Sequence, residues 1–270
     1  SEMCIRDSYD MSQATAYSQE TWNSYKTAID AFNAENNGKI ALGGFEMTWS
    51  GGPGHINTWN TPGIVSRNNA TLNNKTADAG MKAYYALLSR PEGAGSISQF
   101  NHPGTTFGNF SDFSYWDPVI DSRMYMVEVG NGEGQIGAGG YYPSYEQYIM
   151  ALDKGWHLAP TNNQDNHKGR WGNANDARDV ILTDNFTEDG IYEAIRALRM
   201  CATEDKNLEL GYTVNGQMMG SSITEVPEKL NLEVTVNDPD KSDSISKVEV
   251  VVNSGKVVHT WSDPAELNQG

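Results

Sequence analysis

The stretch Ser96-Ile-Ser-Gln-Phe-Asn-His-Pro103 decides the predicted fold, because a short run suited to a β-strand leads directly into a histidine. The same order recurs at residues 156–160, which precede Asp165 and His167. In folds that alternate strands and helices, functional side chains gather where the strands end. The two stretches therefore predict an α/β protein that presents metal ligands along one edge of its sheet.

Helical and strand patterns alternate on both sides of these stretches. Apolar residues at positions 22, 25, 29 and 32 give one face of a helix. Further helices are expected at residues 77–88, 143–152 and 190–199, the last one capped by Thr187. Strands are expected at residues 39–47, 55–59, 96–100, 124–129, 156–160 and 180–182. Such alternation is typical of a mostly parallel sheet or barrel.

The pattern changes after Cys201 to one that repeats every two residues. Antiparallel strands are expected at residues 208–212, 230–236, 245–252 and 256–261, the last two joined by a turn at residues 253–255. These strands are too few to close an immunoglobulin-like sandwich. Residues 206–270 are therefore predicted to form a partial β-sandwich-like module, and the chain is expected to be cut short at both ends.

The composition limits the class of protein. With 19 basic and 35 acidic residues, the formal net charge is −16, so binding to nucleic acid through non-specific electrostatics is not expected. An apolar content of 38% with seven Trp and thirteen Tyr is enough to build a core. No apolar run of about 18 residues exists, so no transmembrane segment is expected.

The first eight residues differ in character from the rest of the chain. The run Met3-Cys-Ile-Arg-Asp-Ser8 resembles translated adapter sequence and is set apart as a non-native segment. It has no basic stretch followed by an apolar one, so it is not a signal peptide. The two cysteines, Cys4 and Cys201, form no CxxC motif. Unpaired or partly buried thiols are expected, although a disulfide between them stays open.

Five residues are the candidate metal ligands: Glu46, His55, His102, Asp165 and His167. Imidazole and carboxylate groups together suit Zn, Mn or Fe. Each residue alone has an ordinary alternative, as a solvated carboxylate, a structural histidine or a polar loop residue. Together they favour a shared metal site, because three of only five histidines fall at or near predicted strand boundaries.

The remaining candidates have weaker support. Lys168 and Arg170 follow His167 and are candidates for contact with an anionic substrate, with solvated loop cations as the alternative. Glu128 ends a predicted strand, where a position facing the site and a structural role are equally well supported. His157 is expected to be a hydrogen-bonded core histidine or a support for a ligand. His259 is expected to be a strand residue of the C-terminal module.

Five short motifs occur in a fixed order: Gly44-Phe-Glu46, Gly54-His55, Asn101-His102-Pro103, Val127-Glu-Val129 and Asp165-Asn-His167. This series, over residues 9–205, resembles the PHP (polymerase and histidinol phosphatase) superfamily, and within it the CehA/McbA-type metallohydrolases. The resemblance implies a distorted (β/α)7 barrel that binds up to three divalent metals. It also implies hydrolysis of phosphoesters, with other esters as substrates of some members.

By this resemblance, Glu46 is a bridging or terminal carboxylate ligand, and His55 and His102 are imidazole ligands. Asp165 and His167 are the paired ligands that follow a late strand. The family also has an early His-x-His pair and a later Asp-His pair, and this sequence has no histidine before His55. The first barrel elements and about half of the ligands are therefore expected to be absent, which predicts fewer metals and weak or no activity.

The sequence leads to one functional hypothesis with two rivals. The first is a metal-dependent phosphoesterase that uses metal-activated water on a small phosphorylated substrate. The second is hydrolysis of a carboxylic or carbamate ester at the same site. The third is a non-catalytic protein that contacts glycans or a cell surface, in part through its C-terminal module. Secreted bacterial relatives carry immunoglobulin-like modules, so the resemblance also implies a secreted, periplasmic or cell-surface location.

Overall fold

The chain, seen in a computed structural model that describes residues 20–36, 38–49, 51–225 and 227–267, has a mixed α/β fold. The strands are β1 (Gly44–Thr48), β2 (His55–Trp59), β3 (Ile97–Asn101), β4 (Met124–Asn131), β5 (Tyr142–Pro143), β6 (Ala159–Asn163), β7 (Arg178–Ile181), β8 (Met200–Thr203), β9 (Glu209–Val214), β10 (Gln217–Met218), β11 (Leu232–Asn237), β12 (Val248–Val252) and β13 (Lys256–Trp261). The helices are α1 (Glu20–Glu35), α2 (Ala79–Leu88), α3 (Phe110–Phe113), α4 (Pro118–Asp121), α5 (Tyr145–Asp153), α6 (Glu188–Arg196) and α7 (Pro264–Leu267).

The largest sheet has the order β1-β2-β3-β4, and β4 also pairs with β5 and β6. Strand β2 runs antiparallel to both β1 and β3, whereas β4 runs parallel to β3 and to β6. The segment between β1 and β2 is only a few residues long, too short for the crossover that a parallel pair needs. This part of the expected mostly parallel arrangement is therefore wrong.

Alternate residues of the first three strands separate an apolar face from a polar face. Met47, Ile56 and Phe100 are in register across the sheet and are fully buried. They belong to an apolar cluster that includes Met81, Tyr84, Leu87 and Leu88 of α2. Because side chains of a strand alternate between faces, the neighbouring rows project to the opposite side. Those rows are Glu46, Asn57 and Gln99, and then Thr48, His55 and Asn101.

A second apolar cluster lies at the other end of the polar face, where α6 covers the sheet. Ile97 and Met126 of the sheet belong to it together with Ile191 and Ile195 of α6. The Thr187 hydroxyl accepts a hydrogen bond from the backbone N–H of Gly190 at 3.1 Å, so the predicted cap is confirmed. The helix ends at Arg196, three residues earlier than expected.

The C-terminal part of the described chain is antiparallel, as the two-residue repeat predicts. Strands β10, β9 and β11 form a three-stranded sheet, and β12 and β13 form a hairpin. The backbone N–H of Ser254 in the hairpin turn donates to the Asp153 carboxylate of α5 at 3.0 Å. The described strands form open sheets, so the distorted (β/α)7 barrel that lacks its first elements and the partial immunoglobulin-like module stay predictions.

Several predicted boundaries shift for identifiable reasons. The strand expected at residues 156–160 is found at Ala159–Asn163. The backbone N–H of His157 donates to the Asp121 carboxylate at 3.0 Å and not to a neighbouring strand. Residues 1–19 lie outside the described residues. They include the segment set apart as non-native and Cys4. None of the helices described is long and apolar enough to cross a membrane.

Candidate metal centre

The hairpin of β1 and β2 brings Glu46 and His55 together on the polar face. Thr48 is paired with His55, so Glu46, two residues earlier, is its diagonal neighbour. The Nδ1 atom of His55 lies 3.5 Å from Oε1 of Glu46. Glu46 also accepts hydrogen bonds from the Thr48 hydroxyl at 2.7 Å and from the Asn101 amide at 3.0 Å. Its carboxylate is thus held from three sides.

His102 joins this pair from the end of β3. It directly follows Asn101, which is paired with His55. Its backbone has a φ of 30°, in the left-handed region that residues with a Cβ rarely adopt. The residue is only 6% exposed, and its Nδ1 atom is buried without a hydrogen-bond partner among the described residues. A buried imidazole nitrogen in this state calls for a ligand, because leaving it unpaired is unfavourable.

Phe107 covers the two imidazoles. The rings of His55 and His102 are 4.7 Å apart, and the Phe107 ring lies 5.8 Å from the first and 4.5 Å from the second. The loop that carries it is closed by two backbone hydrogen bonds between Gly104 and Gly108. This loop therefore limits the access of water to the histidine side of the centre.

Gly54, immediately before His55, cannot be replaced without strain. Its φ is +150°, and a Cβ built there would lie 2.4 Å from the ring of Phe110. Phe110 is fully buried and donates its backbone N–H to the Pro53 carbonyl. The close packing of Gly54 on Phe110 thus fixes where β2, and with it His55, begins.

Glu46, His55 and His102 offer ligand atoms that all lie within 4.8 Å of one another. One carboxylate and two imidazoles suit Zn, Mn or Fe, and three protein ligands are what catalytic zinc sites typically contain. The unpartnered nitrogen of His102 and the donor chemistry of the group both fit a divalent cation. Glu46 lies in the middle of β1, whereas the sequence pattern predicted the end of the strand.

Glu46 and His102 have protonation states that suit metal binding. Burial opposes ionisation of Glu46, but the hydrogen bond and charge of His55, aided by Thr48 and Asn101, lower the pKa of Glu46 to about 2. Burial, together with repulsion from His55, lowers the pKa of His102 to about 4 against the attraction of Glu46. At neutral pH, Glu46 is therefore a carboxylate and His102 a neutral imidazole, the forms that bind metals.

Asp165 and His167 lie outside this group. Asp165 follows β6 with a φ of 43°, and its carboxylate lies 3.5 Å from Nδ1 of His167. The same nitrogen lies 2.7 Å from the backbone carbonyl of Asp165, and the His167 side chain is 40% exposed. The structure thus brings together three of the five predicted ligands and places the other two beside each other.

The other polar candidates have local partners. The ammonium group of Lys168 lies 2.7 Å from the Glu133 carboxylate, and Arg170 donates to the Glu133 carbonyl. The expectation of a core position for His157 is wrong, because its side chain is 63% exposed and paired with Asp121 at 2.7 Å. Its burial was overestimated because it lies between the buried residues Trp156 and Leu158. His259 lies in β13, as expected.

A cavity of about 700 Å³ adjoins the polar face of the sheet. Glu46 and Asp165 are both among the residues that line it. Five amide side chains are part of its wall: Asn57, Gln99, Asn162, Asn163 and Gln164. Its wall also contains apolar residues: Ile40, Leu42, Trp59, Met126, Ile181, Ile195 and Met200. The cavity therefore has room for a small molecule with a polar and an apolar part.

Asp179 also lines this cavity, and we expect its replacement to change the pH dependence of stability. Burial raises the pKa of Asp179 from 3.8 to about 6, against the hydrogen bond from Asn162 N at 2.5 Å. The contribution of Asp179 to the free energy of unfolding is at its maximum below about pH 4 and is lost as the pH rises through about 6. Asp179→Asn should therefore stabilise the protein at pH 7 by on the order of 2 kcal/mol.

Urea unfolding of both proteins between pH 4 and pH 7 measures this effect. The difference in unfolding free energy between the variant and the unmodified protein should grow across that range. The reason is that the folded unmodified protein must ionise the buried Asp179 carboxyl, whereas the variant has no carboxyl at this position. Asp184→Asn, at an exposed position, is the matched control and should give a small difference. A constant difference between the Asp179 variant and the unmodified protein at every pH would contradict the assignment.

The sequence left open the part played by Glu128, which the structure shows to be fully buried beneath the centre. The amide side chains of the site were not predicted from the sequence. Gln99 and Asn163 donate hydrogen bonds to the Glu128 carboxylate, and Asn101 donates one to the Glu46 carboxylate. The available signal was the presence of polar residues at every second position of strands that otherwise read as buried. Such a pattern marks a polar interior face.

A second group of carboxylates lies among the C-terminal strands. Asp205, Asp238 and Asp243 offer oxygen atoms within 4.8 Å of one another. Asp205 accepts the backbone N–H groups of residues 207 and 208, and Asp238 accepts that of Asp240. These two carboxylates therefore stabilise turns.

Comparison with known proteins adds a distant structural similarity. No family model and no curated protein matches the sequence. A solved structure that resembles the chain is described as a two-domain protein containing a predicted PHP-like metal-dependent phosphoesterase, from Bacteroides vulgatus. The match has 18% identity and a TM-score of 0.42, and covers 76% of this chain and 58% of that one. The chain thus spans little more than half the length of that protein.

Proposed function

We propose that this chain belongs to a metal-dependent hydrolase that acts on small phosphate esters. The observation that carries the proposal is the convergence of Glu46, His55 and His102 within 4.8 Å, with a buried nitrogen on His102 that has no hydrogen-bond partner in the described part of the chain. The choice of phosphate esters is supported by the ordered motifs through which the sequence resembles the PHP superfamily. The finer CehA/McbA-type assignment and an extracytoplasmic location belong to the same proposal.

Glu46, His55 and His102 would hold the cation, and Asp165 and His167 are proposed as further ligands from the loop after β6. A divalent metal bound there would polarise a phosphoryl oxygen and lower the pKa of a bound water. Glu46 contributes a permanent negative charge, which Thr48 and Asn101 hold in place. Phe107 shields the imidazoles from bulk water, which strengthens electrostatic interactions at the centre.

The cavity beside Glu46 would receive the substrate. Its amide side chains can donate hydrogen bonds to phosphate oxygens, and its apolar residues can pack on the group attached to the phosphate. Lys168 and Arg170 are proposed to meet an anionic substrate only if they exchange their contacts with Glu133. The proposal requires no covalent intermediate with the protein, since the attacking group would be water.

The test is metal content followed by hydrolysis. The purified chain, dialysed separately against Mn²⁺, Zn²⁺ and Fe²⁺, should retain one of them near stoichiometrically by elemental mass spectrometry. The loaded protein should hydrolyse p-nitrophenyl phosphate slowly, and both a chelator and inorganic phosphate should suppress the reaction. Hydrolysis of p-nitrophenyl acetate that is insensitive to phosphate would favour a carboxylic esterase. Retention of none of these metals would refute the hydrolase and favour a non-catalytic binding protein.

A further inference from the structure

We propose that Glu128 is a positioning residue of the candidate metal centre. Its carboxylate fixes the backbone of His102 directly, and it fixes Glu46 through two amide side chains. This inference rests on the proposed function, because it concerns residues assigned there to the metal. It adds a residue that would act through the ligands and would not itself bind the metal.

The direct connection runs through the backbone of His102. Glu128 lies on β4 and is fully buried. Its Oε2 atom accepts the backbone N–H of His102 and the side-chain amide of Asn131, the latter at 3.0 Å. The backbone of His102 is in the left-handed region, with a φ of 30°. Because that conformation is unfavourable for a histidine, it needs a fixed acceptor for its N–H group.

The indirect connection runs along β3 to the other carboxylate. Gln99 donates its side-chain amide to Oε1 of Glu128 at 3.4 Å and to Oδ1 of Asn101 at 2.9 Å. Asn101 in turn donates to Oε1 of Glu46 at 3.0 Å. Two of the three converging ligands are therefore oriented by hydrogen bonds that start at one buried carboxylate. Groups that orient metal ligands commonly set metal affinity.

The position requires a carboxylate and not an amide. Both oxygens of Glu128 accept hydrogen bonds from N–H groups, including that of the Asn163 side chain at 2.9 Å. A glutamine of the same shape would direct its NH₂ group at such donors in either orientation. Glu128→Gln therefore keeps the volume of the side chain and removes its acceptor function on one side.

The experiment compares metal binding and protein stability in matched variants. Glu128→Gln should weaken the binding of Co²⁺ and Mn²⁺ by about 10–100-fold, measured by competition with a chromophoric chelator. It should also change the visible absorption spectrum of the Co²⁺ form, which reports ligand geometry. Ser98→Ala is the control, because Ser98 is fully buried and hydrogen-bonded to Thr58 on the same sheet. It should leave affinity and spectrum unchanged, whatever it does to urea unfolding.

The outcomes separate this inference from the proposed function. If the unmodified chain binds Co²⁺ and Glu128→Gln binds it equally well with the same spectrum, only the positioning role is refuted. If the unmodified chain binds neither metal, the proposed function falls and the positioning role falls with it. If Glu128→Gln fails to fold, Gln99→Met replaces it, since it interrupts the connection to Glu46 and leaves the hydrogen bond from His102 N–H to Glu128 in place. A several-fold loss of affinity in that variant supports the proposal, and an unchanged affinity overturns it.

Discussion

Replacement of His102 with alanine is expected to weaken divalent metal binding by more than about 100-fold, because it removes one of three converging ligands. The unmodified protein should gain about 2.7 kcal/mol of stability at a metal concentration 100 times the dissociation constant. The variant should gain almost nothing under the same conditions. Urea unfolding with and without Mn²⁺ or Zn²⁺ measures both quantities.

His157→Ala is the control for this prediction. His102 is buried beside two other candidate ligands, whereas the side chain of His157 is 63% exposed and pairs with Asp121. Its removal should change neither the affinity for metal nor the stabilisation that metal produces. Equal metal-dependent stabilisation in the two variants would show that His102 is not a ligand.

A second large effect is expected from Phe100→Ala, which should lower the free energy of unfolding by about 3–5 kcal/mol. Phe100 is fully buried, and its ring lies 4.5 Å from that of Phe110, 5.2 Å from that of Phe113 and 5.1 Å from that of Trp156. Removal of the ring leaves a cavity where four aromatic residues meet. Urea unfolding of metal-free protein gives the value directly.

The comparison is Phe186→Ala, at a phenylalanine that is 59% exposed. That change should alter the unfolding free energy by no more than about 0.5 kcal/mol. If Phe100→Ala cost less than about 1 kcal/mol, the packing of β3 against α3 and Trp156 would be looser than the structure indicates.

The sequence predicted the part of the centre that depends on strand order. Glu46, His55 and His102 could be recognised because each falls on or beside a predicted strand, although β1 begins at Gly44 and not at residue 39. Their approach follows from strand pairing, in which Thr48, His55 and Asn101 form one row. Their role as ligands stays a prediction, as do the divisions of the chain at residues 8 and 205.

The rest depended on local loop geometry, on strand direction and on contacts between distant segments. The position of Asp165 depends on its positive φ of 43°, and that of His167 on the contact of its Nδ1 atom with the Asp165 carbonyl. Neither feature leaves a pattern in the sequence. The direction of the first strand pair was misjudged, although the short segment between the strands predicted at residues 39–47 and 55–59 already excluded a parallel pair. The part played by Glu128 depends on residues up to 35 positions away.

Because apolar and polar rows alternate in β1, β2 and β3, the proposed metal centre forms only when these strands pair in the correct register. A slip of one residue in the pairing of a strand exchanges its two faces. In β2, such a slip would turn His55 towards the aromatic core and expose Ile56, which is fully buried in the native protein. A misaligned molecule would therefore be both unstable and unable to bind metal.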